Sequence, residues 1–165
     1  MSAARFRKQD FLRNYRKARR SRGALLARAD PARMTEAAIA GTWSLKDLIA
    51  HLAWYEGEMV NVLRARAFVG SALWDLPQDE RNAAIFELNE GRPLGDVRAE
   101  GQQRSAELWA ELEQLTDVDL NDPARFPGMP EDWIPGAVFA SNTYEHYDQH
   151  LPGVEAWLER TPGGS

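Results

Sequence analysis

The chain has 165 residues, of which 44% are hydrophobic and 27% are charged, a balance typical of a single globular domain. It contains no cysteine, so disulfide bonds, thiolate metal ligands and a cysteine nucleophile are excluded, and any metal must be bound by histidine or carboxylate. The net charge of −5 is unevenly distributed, because residues 1–33 carry eleven Lys and Arg against two Asp and Glu, and the remainder is acidic.

The first predicted element is a helix over about residues 7–29 that ends near Pro31. Its apolar residues recur at helical spacing and form the stripe Phe11, Tyr15, Ala18, Leu25, Leu26 and Ala29. Its many basic residues allow three interpretations: a nucleic-acid-binding face, an organelle transit peptide, or the solvated outer face of a bundle helix. We favour the solvated face, because the apolar stripe requires a core against which it can be buried.

The second predicted helix begins at Ser44 and continues to about Val69, where Gly70 ends it. Ser44 and Asp47 resemble a capping box in which Asp replaces the usual Glu. The apolar positions of this helix are Leu45, Leu48, Ile49, Leu52, Met59 and Leu63.

Two helices, a loop and a final helix follow. A short helix is predicted over about residues 78–89 and a longer one over about residues 94–115. Residues 116–135 contain four prolines and predict a long irregular loop, and such loops are uncommon unless they are functional. The last helix is predicted over about residues 136–160.

Long amphipathic helices without strands predict an all-α four-helix bundle, with one additional short helix and a long Pro-rich loop before the last helix. We expect one domain over residues 1–160 and a disordered tail over residues 161–165. No apolar run is long enough for a membrane span and no signal peptide is recognisable, so a cytoplasmic protein is expected.

The three histidines of the chain indicate a metal site. His146 and His150 are four residues apart and project from one face of a helix. The same side of that helix carries the apolar residues Phe139, Val154 and Trp157. His51 lies on an inward side of the second helix, and three imidazoles in an apolar interior are costly without a shared ligand. We therefore predict that the three histidines bind one divalent metal ion and leave one position open, as in catalytic sites. The alternative is three unrelated histidines.

Other side chains near these positions are candidates for catalysis or for substrate binding. Asp47 and Glu58 project on the His51 side of the second helix, where each is either a proton acceptor or a solvated helix residue. The candidate substrate-binding residues are Trp54, Tyr55, Asn142, Tyr147 and Trp133. Aromatic stripes are also typical of helix cores, but Trp133 lies in the Pro-rich loop, which could cover a pocket.

Three segments resemble the DinB-like superfamily, which includes the YfiT-like proteins. They are GTWSLKDLIAHLAWYE (residues 41–56), DERNAAIFELNEGRPL (residues 79–94) and NTYEHYDQHLPGVEAWL (residues 142–158). Among its members are YfiT-like metal-dependent hydrolases, mycothiol-dependent maleylpyruvate isomerase and the ClbS/DfsB-type resistance proteins. The resemblance implies a four-helix bundle, often a homodimer, with a metal ion held at the positions of His51, His146 and His150.

These patterns favour a metal-dependent enzyme that acts on a small-molecule substrate. It would be a hydrolase that uses metal-bound water, or a transferase that activates a low-molecular-weight thiol, such as bacillithiol or mycothiol, towards an electrophile. Imidazole ligands admit zinc, nickel or iron. One alternative is a non-catalytic binding or resistance protein whose metal is structural or vestigial. Another is binding to nucleic acid through the basic first helix, which the acidic remainder of the chain disfavours.

Overall fold

The computed structural model describes residues 5–37, 39 and 41–160. This part of the chain forms the helices α1 (Lys8–Ala27), α2 (Leu45–Ala65), α3 (Gln78–Asn89), α4 (Leu94–Leu112), α5 (Asp117–Asn121), α6 (Pro135–Ser141) and α7 (Tyr144–Glu159). The described residues contain no β-strand, so the predicted all-α class is confirmed. The predicted disordered tail lies outside the described residues.

The four long helices α1, α2, α4 and α7 form a bundle around one hydrophobic core. Helix α2 packs along α4, and α1 packs along α7. The largest side chains that are fully buried between the elements are Trp157, Tyr15, Tyr147, Phe126 and Phe139. The predicted four-helix bundle is therefore confirmed, with the short helix α3 packed against α2. None of the helices in this part of the chain combines the length and apolarity that a membrane span requires.

The start of α2 is fixed by the predicted capping box. The Ser44 side chain accepts a hydrogen bond from the backbone N–H of Asp47, and Asp47 Oδ2 accepts one from the backbone N–H of Ser44 at 2.8 Å. These two bonds satisfy N–H groups that a helix terminus otherwise leaves unpaired.

The end of α2 comes earlier than predicted. The helix stops at Ala65 because Arg66 adopts the left-handed conformation, with φ 51°, which is uncommon for a residue other than glycine. Arg66 is held there by its tertiary partners. Its Nη2 donates to Asp119 Oδ1 at 2.6 Å, and its guanidinium lies 5.3 Å from the centre of the Phe126 ring.

The Pro-rich segment contains more regular structure than predicted. Thr116 and Asp119 form a second capping box, which begins the short helix α5, and a 3-10 turn follows at Pro123–Arg125. Because Asp and Thr side chains can satisfy local backbone groups, a short helix forms before the first proline of this segment.

The prediction of one unbroken last helix is wrong. The chain forms α6 and α7 with a break at Asn142 and Thr143, where Thr143 has φ −130° and ψ −104°. Thr143 is fully buried, and its hydroxyl donates to the carbonyl of Phe139 at 2.6 Å. The break starts α7 at Tyr144, so that His146 lies in its first turn.

Candidate metal centre

The three histidines come from two helices that meet in the bundle. His51 lies in the middle of α2, and His146 and His150 lie one turn apart in α7. His51 is 2% exposed and His146 is 8% exposed, whereas His150 is half-buried. The cluster therefore sits at the edge of the core, and its His150 side reaches the surface.

The three imidazoles point their ring nitrogens at one another. The Nε2 atoms of His51 and His146 are 3.0 Å apart, and those of His150 and His146 are 3.1 Å apart. One ring nitrogen from each histidine lies within 4.8 Å of the other two. The three residues could therefore hold one metal ion, as the sequence predicts.

Hydrogen bonds alone do not account for these two short contacts. A neutral imidazole Nε2 carries either one hydrogen or one lone pair, so His146 Nε2 can bond well to only one of its two neighbours. A cation accepts the lone pairs of all three nitrogens at once. In a tetrahedral zinc site, bonds of 2.0–2.1 Å separate the ligand nitrogens by about 3.4 Å, which is close to the observed spacing.

The electrostatic environment also keeps the imidazoles in the form that binds a metal. Burial, with a smaller contribution from the neighbouring imidazoles, lowers the pKa of His51 to about 2 and that of His146 to about 3. Burial also lowers the pKa of His150. Because the neutral ring is the ligand form, the site needs no deprotonation before a cation can bind.

Aromatic packing holds the rings in place. The Nδ1 atoms of His51 and His146 are buried and have no hydrogen-bond partner in the described part of the chain. The His51 ring instead packs between Trp43, at 4.9 Å between ring centres, and Tyr55, at 5.0 Å. Tyr55 also contacts the His146 ring at 4.7 Å.

Tyr55 connects the histidines to residues that line a groove. Its hydroxyl donates to Asn82 Oδ1 at 3.0 Å and accepts from Arg81 Nε at 3.1 Å. The Arg81 guanidinium lies 4.7 Å from the centre of the Trp74 ring. Tyr55 therefore contacts both the histidines and two residues, Trp74 and Arg81, that line the groove.

The groove has a volume of about 1200 Å³ and is mainly apolar, with charged residues at its edge. Two of the predicted substrate-binding residues, Trp133 and Asn142, line it, and Trp133 packs edge-on against Phe68 at 5.6 Å. Part of the lining is formed by Phe68, Trp74, Arg81, Trp133, Ile134 and Asn142. Its volume lies above the usual range for small-molecule sites, so the groove has room for a small organic ligand, and its mainly apolar lining is typical of such sites.

The two carboxylates predicted as proton acceptors are engaged away from the histidines. Asp47 belongs to the capping box of α2. Glu58 Oε2 accepts from the backbone N–H of Ser71 at 2.8 Å and from the indole N–H of Trp74 at 2.7 Å. Neither carboxylate has a hydrogen bond to a histidine in the described residues, which argues against the predicted role in proton transfer.

The other three predicted substrate-binding residues, Trp54, Tyr55 and Tyr147, do not line the groove. Trp54 packs on Tyr55 and on Trp74, at 4.9 and 5.4 Å between ring centres. Tyr147 is fully buried, and its hydroxyl donates to Glu56, so its position conflicts with the predicted contact to substrate. Trp54 and Tyr55 therefore stay candidates, and Tyr147 is a core residue.

Sequence reasoning did not single out Trp43, Trp74 or Arg81. Trp43 directly precedes the N-cap residue Ser44, where an apolar side chain often packs back on the first turn, and this position could have drawn attention to it. Trp74 and Arg81 belong to no local motif. They reach Tyr55 only because the segment after α2 folds back on that helix.

Comparison with known proteins agrees with this architecture. A crystal structure of an uncharacterised protein from Escherichia coli UTI89 superposes with a TM-score of 0.77, covers 93% of each chain and is 16% identical in sequence, so it shares the fold. No curated protein matches the sequence. The family model of the DinB superfamily matches residues 14–151, which include all three histidines. The chain belongs to the DinB superfamily.

Proposed function

We propose that the protein is a metal-dependent enzyme that transfers a low-molecular-weight thiol to a small electrophilic substrate. The convergence of the three imidazole nitrogens beside an aromatic groove is the observation that carries this proposal. His51, His146 and His150 would hold one divalent cation and leave one position for a ligand from outside the chain.

A bound divalent cation supplies Lewis acidity, which lowers the pKa of a water or thiol in the open position. The chain itself supplies the binding surface. Trp74 and Trp133 provide apolar walls for the substrate, and Arg81 places a positive charge at the inner end of the groove. Arg81 would bind an anionic group of the substrate or of the thiol.

The environment of the histidines favours a thiol over water as the nucleophile. Asp47 and Glu58 are bound to other groups, so no carboxylate from the predicted set is placed to take a proton from water. A thiol has an ordinary pKa near 8.5, against 15.7 for water, so in the open position it would need the smaller shift to ionise at neutral pH, with its proton released to solvent. The chain has no cysteine, so the thiol must come from a second small molecule.

Metal content tests the site directly. We expect the wild-type protein, loaded with zinc, nickel or iron and dialysed, to retain about one ion per chain when measured by elemental analysis. His51→Ala should lower the affinity about a hundredfold or more, because loss of even an outer partner of a ligand costs about 10- to 100-fold. Leu52→Val changes the adjacent buried residue and should leave the metal content unchanged. If wild type and His51→Ala retained the same amount of metal, the proposal that His51 is a metal ligand would be wrong.

Turnover tests the reaction. Metal-loaded protein should consume a small electrophile faster when bacillithiol or mycothiol is present, and His51→Ala should abolish that difference. Turnover that is unaffected by either thiol but lost in His51→Ala would support a hydrolase instead. Tight binding of the electrophile without turnover, unchanged in His51→Ala, would support a non-catalytic binding protein.

A further inference from the structure

A second cavity lies among the four long helices, away from the histidines. It has a volume of about 340 Å³, and none of the three histidines lines it. Its floor is formed by buried residues of α2 and α7, among them Leu45, Leu48, Leu52 and Val154. Its rim is formed by α1 and α4. We call it the α1–α4 cleft.

Residues of both α1 and α4 line the cleft. The two helices are bridged at one end, where Tyr15 stacks on Trp109 at 6.0 Å and Lys8 Nζ donates to the carbonyl of Glu113 at 2.6 Å. Further along the two helices, several positions of α1 and α4 that line the cleft carry small residues. A Cβ atom built on Gly23 would meet no atom within 4 Å, so the gap beside α1 is open.

The rim is strongly basic although the protein as a whole is acidic. Arg19, Arg22 and Arg98 line the cleft, and no Asp or Glu does so among the described residues. Arg22 is paired with Glu56 in the core. Arg19 is half-buried and Arg98 is exposed, and neither has an ion-pair partner within the part of the chain that the structure describes, so both can pair with an anionic ligand.

We propose that the α1–α4 cleft binds a small amphipathic anion, a monocarboxylate with a medium-length hydrocarbon chain. The hydrocarbon would lie against Leu26, Ile49 and Leu151, which line the cleft and keep some exposed surface. The carboxylate would lie at the rim, with Arg19 and Arg98. The cavity volume is at the lower end of the range for small-molecule sites, which limits the ligand to a single short chain.

Calorimetric titration with octanoate tests this proposal. Octanoate should bind one site per chain, and octan-1-ol, which has the same chain without the charge, should bind more weakly. Arg98→Gln should weaken octanoate binding about two- to fivefold, and Arg19→Gln/Arg98→Gln about tenfold, as expected for partly exposed ion pairs. Arg20→Gln removes the same charge from an exposed position of α1 outside the cleft and should have no effect.

A second pair of variants tests the cavity itself. Leu26 lines the cleft and Leu12 does not, and both are half-buried residues of α1. Leu26→Trp should fill the space and abolish binding, whereas Leu12→Trp should preserve it, with circular dichroism as the check that both variants are folded. His51→Ala should bind octanoate like the wild type, because the cleft does not depend on the metal centre.

The proposal would be overturned by an absence of octanoate binding, by equal affinity for octanoate and octan-1-ol, or by equal affinity of wild type and the double arginine variant. It would also be overturned if Arg20→Gln weakened binding as much as Arg98→Gln did. Loss of binding in His51→Ala would place the ligand at the histidines instead.

Discussion

The carboxylate of Asp119 joins three segments of the chain. Its Oδ1 accepts hydrogen bonds from Arg66 at 2.6 Å and Arg125 at 2.9 Å. Its Oδ2 accepts from the backbone and the hydroxyl of Thr116, at 2.8 and 2.9 Å. The end of α2, the start of α5 and the 3-10 turn that follows are therefore fixed by one side chain that is 1% exposed.

The ionised form of Asp119 should stabilise the fold. Burial on its own would raise the pKa of this carboxyl, but the hydrogen bonds from Thr116, Arg125 and Arg66 outweigh it and lower the pKa to about 2, from an ordinary value of 3.8. The resulting stabilisation is present above about pH 4 and is lost as the pH falls through 2. We expect Asp119→Asn to lower the free energy of unfolding at pH 7 by roughly 2 kcal/mol.

Urea denaturation between pH 7 and pH 2 measures this effect. The difference between wild type and Asp119→Asn should shrink as the pH falls below 4. Asp10→Asn, at an exposed ion pair of α1, is the control and should stay within about 0.5 kcal/mol of wild type. If the difference in free energy of unfolding between wild type and Asp119→Asn stayed constant across the pH range, the stabilisation would not come from the ionised carboxylate.

Single residues differ in how far the sequence predicts their environment. The cluster of His51, His146 and His150 could be predicted, because helical periodicity places all three on inward faces. The hydrogen-bond partners of Asp119 and Glu58 could not be predicted, because they lie in turns, where the sequence has no helical periodicity. The capping box at Ser44 is local in sequence and was predictable.

At the level of elements, the break between α6 and α7 shows where periodicity misleads. The apolar side of the predicted last helix continues from Phe139 to Trp157, so the pattern gives no sign of an interruption. The chain nevertheless turns at Asn142 and Thr143, because each side chain hydrogen-bonds to the carbonyl four residues earlier. Asn and Thr compete in this way with the regular helix.

The buried hydroxyl of Thr143 should stabilise this break. We expect Thr143→Val, which keeps the shape but removes the bond to Phe139, to lower the free energy of unfolding by about 1 kcal/mol. Thr42→Val, at an exposed position before α2, serves as the control and should have little effect. Thermal denaturation of both variants provides the measurement, and equal stabilities would show that the hydroxyl does not hold the break.

At the level of the whole molecule, one charged cluster ties three of the four bundle helices together in the core. Glu56 of α2 is 0% exposed and accepts hydrogen bonds from Arg22 of α1 and Tyr147 of α7. Burial on its own would lower the pKa of Arg22, but the charge of Glu56 raises it. Burial also raises the pKa of Tyr147 well above its ordinary value, so its hydroxyl stays a donor.

Removing the charge of Glu56 should destabilise the bundle strongly. Glu56→Gln leaves the Arg22 cation in the core without a counter-charge, and we expect a loss of about 3–5 kcal/mol in the free energy of unfolding. The double variant Arg22→Met/Glu56→Gln should lose less free energy of unfolding than Arg22→Met and Glu56→Gln lose together, because neither charge is then left unpaired. A double-mutant cycle, measured by urea denaturation, gives the coupling energy between Arg22 and Glu56. If the losses of the two single variants simply added up in the double variant, the two charges would not be coupled.

The bundle could be predicted from the sequence, but its cavities could not. Four long amphipathic helices have few ways to bury their apolar faces, so the architecture follows from the pattern. The groove is lined largely by the segment after α2 and by residues around α6, and the α1–α4 cleft lies among four helices, so both depend on contacts, such as Tyr15 on Trp109, that are distant in sequence. The homodimer implied by the family resemblance stays a prediction, which light scattering would check.

The packing of Trp43 and Tyr55 around the His51 ring has a practical consequence. The ligand side chains are positioned by aromatic packing on a bundle that has its own hydrophobic core, unlike those of a zinc finger, whose fold depends on its metal. Chelation should therefore yield an empty but folded protein that can be refilled. Different cations could then be exchanged through one preparation and their reactivities compared directly, with no refolding step between them.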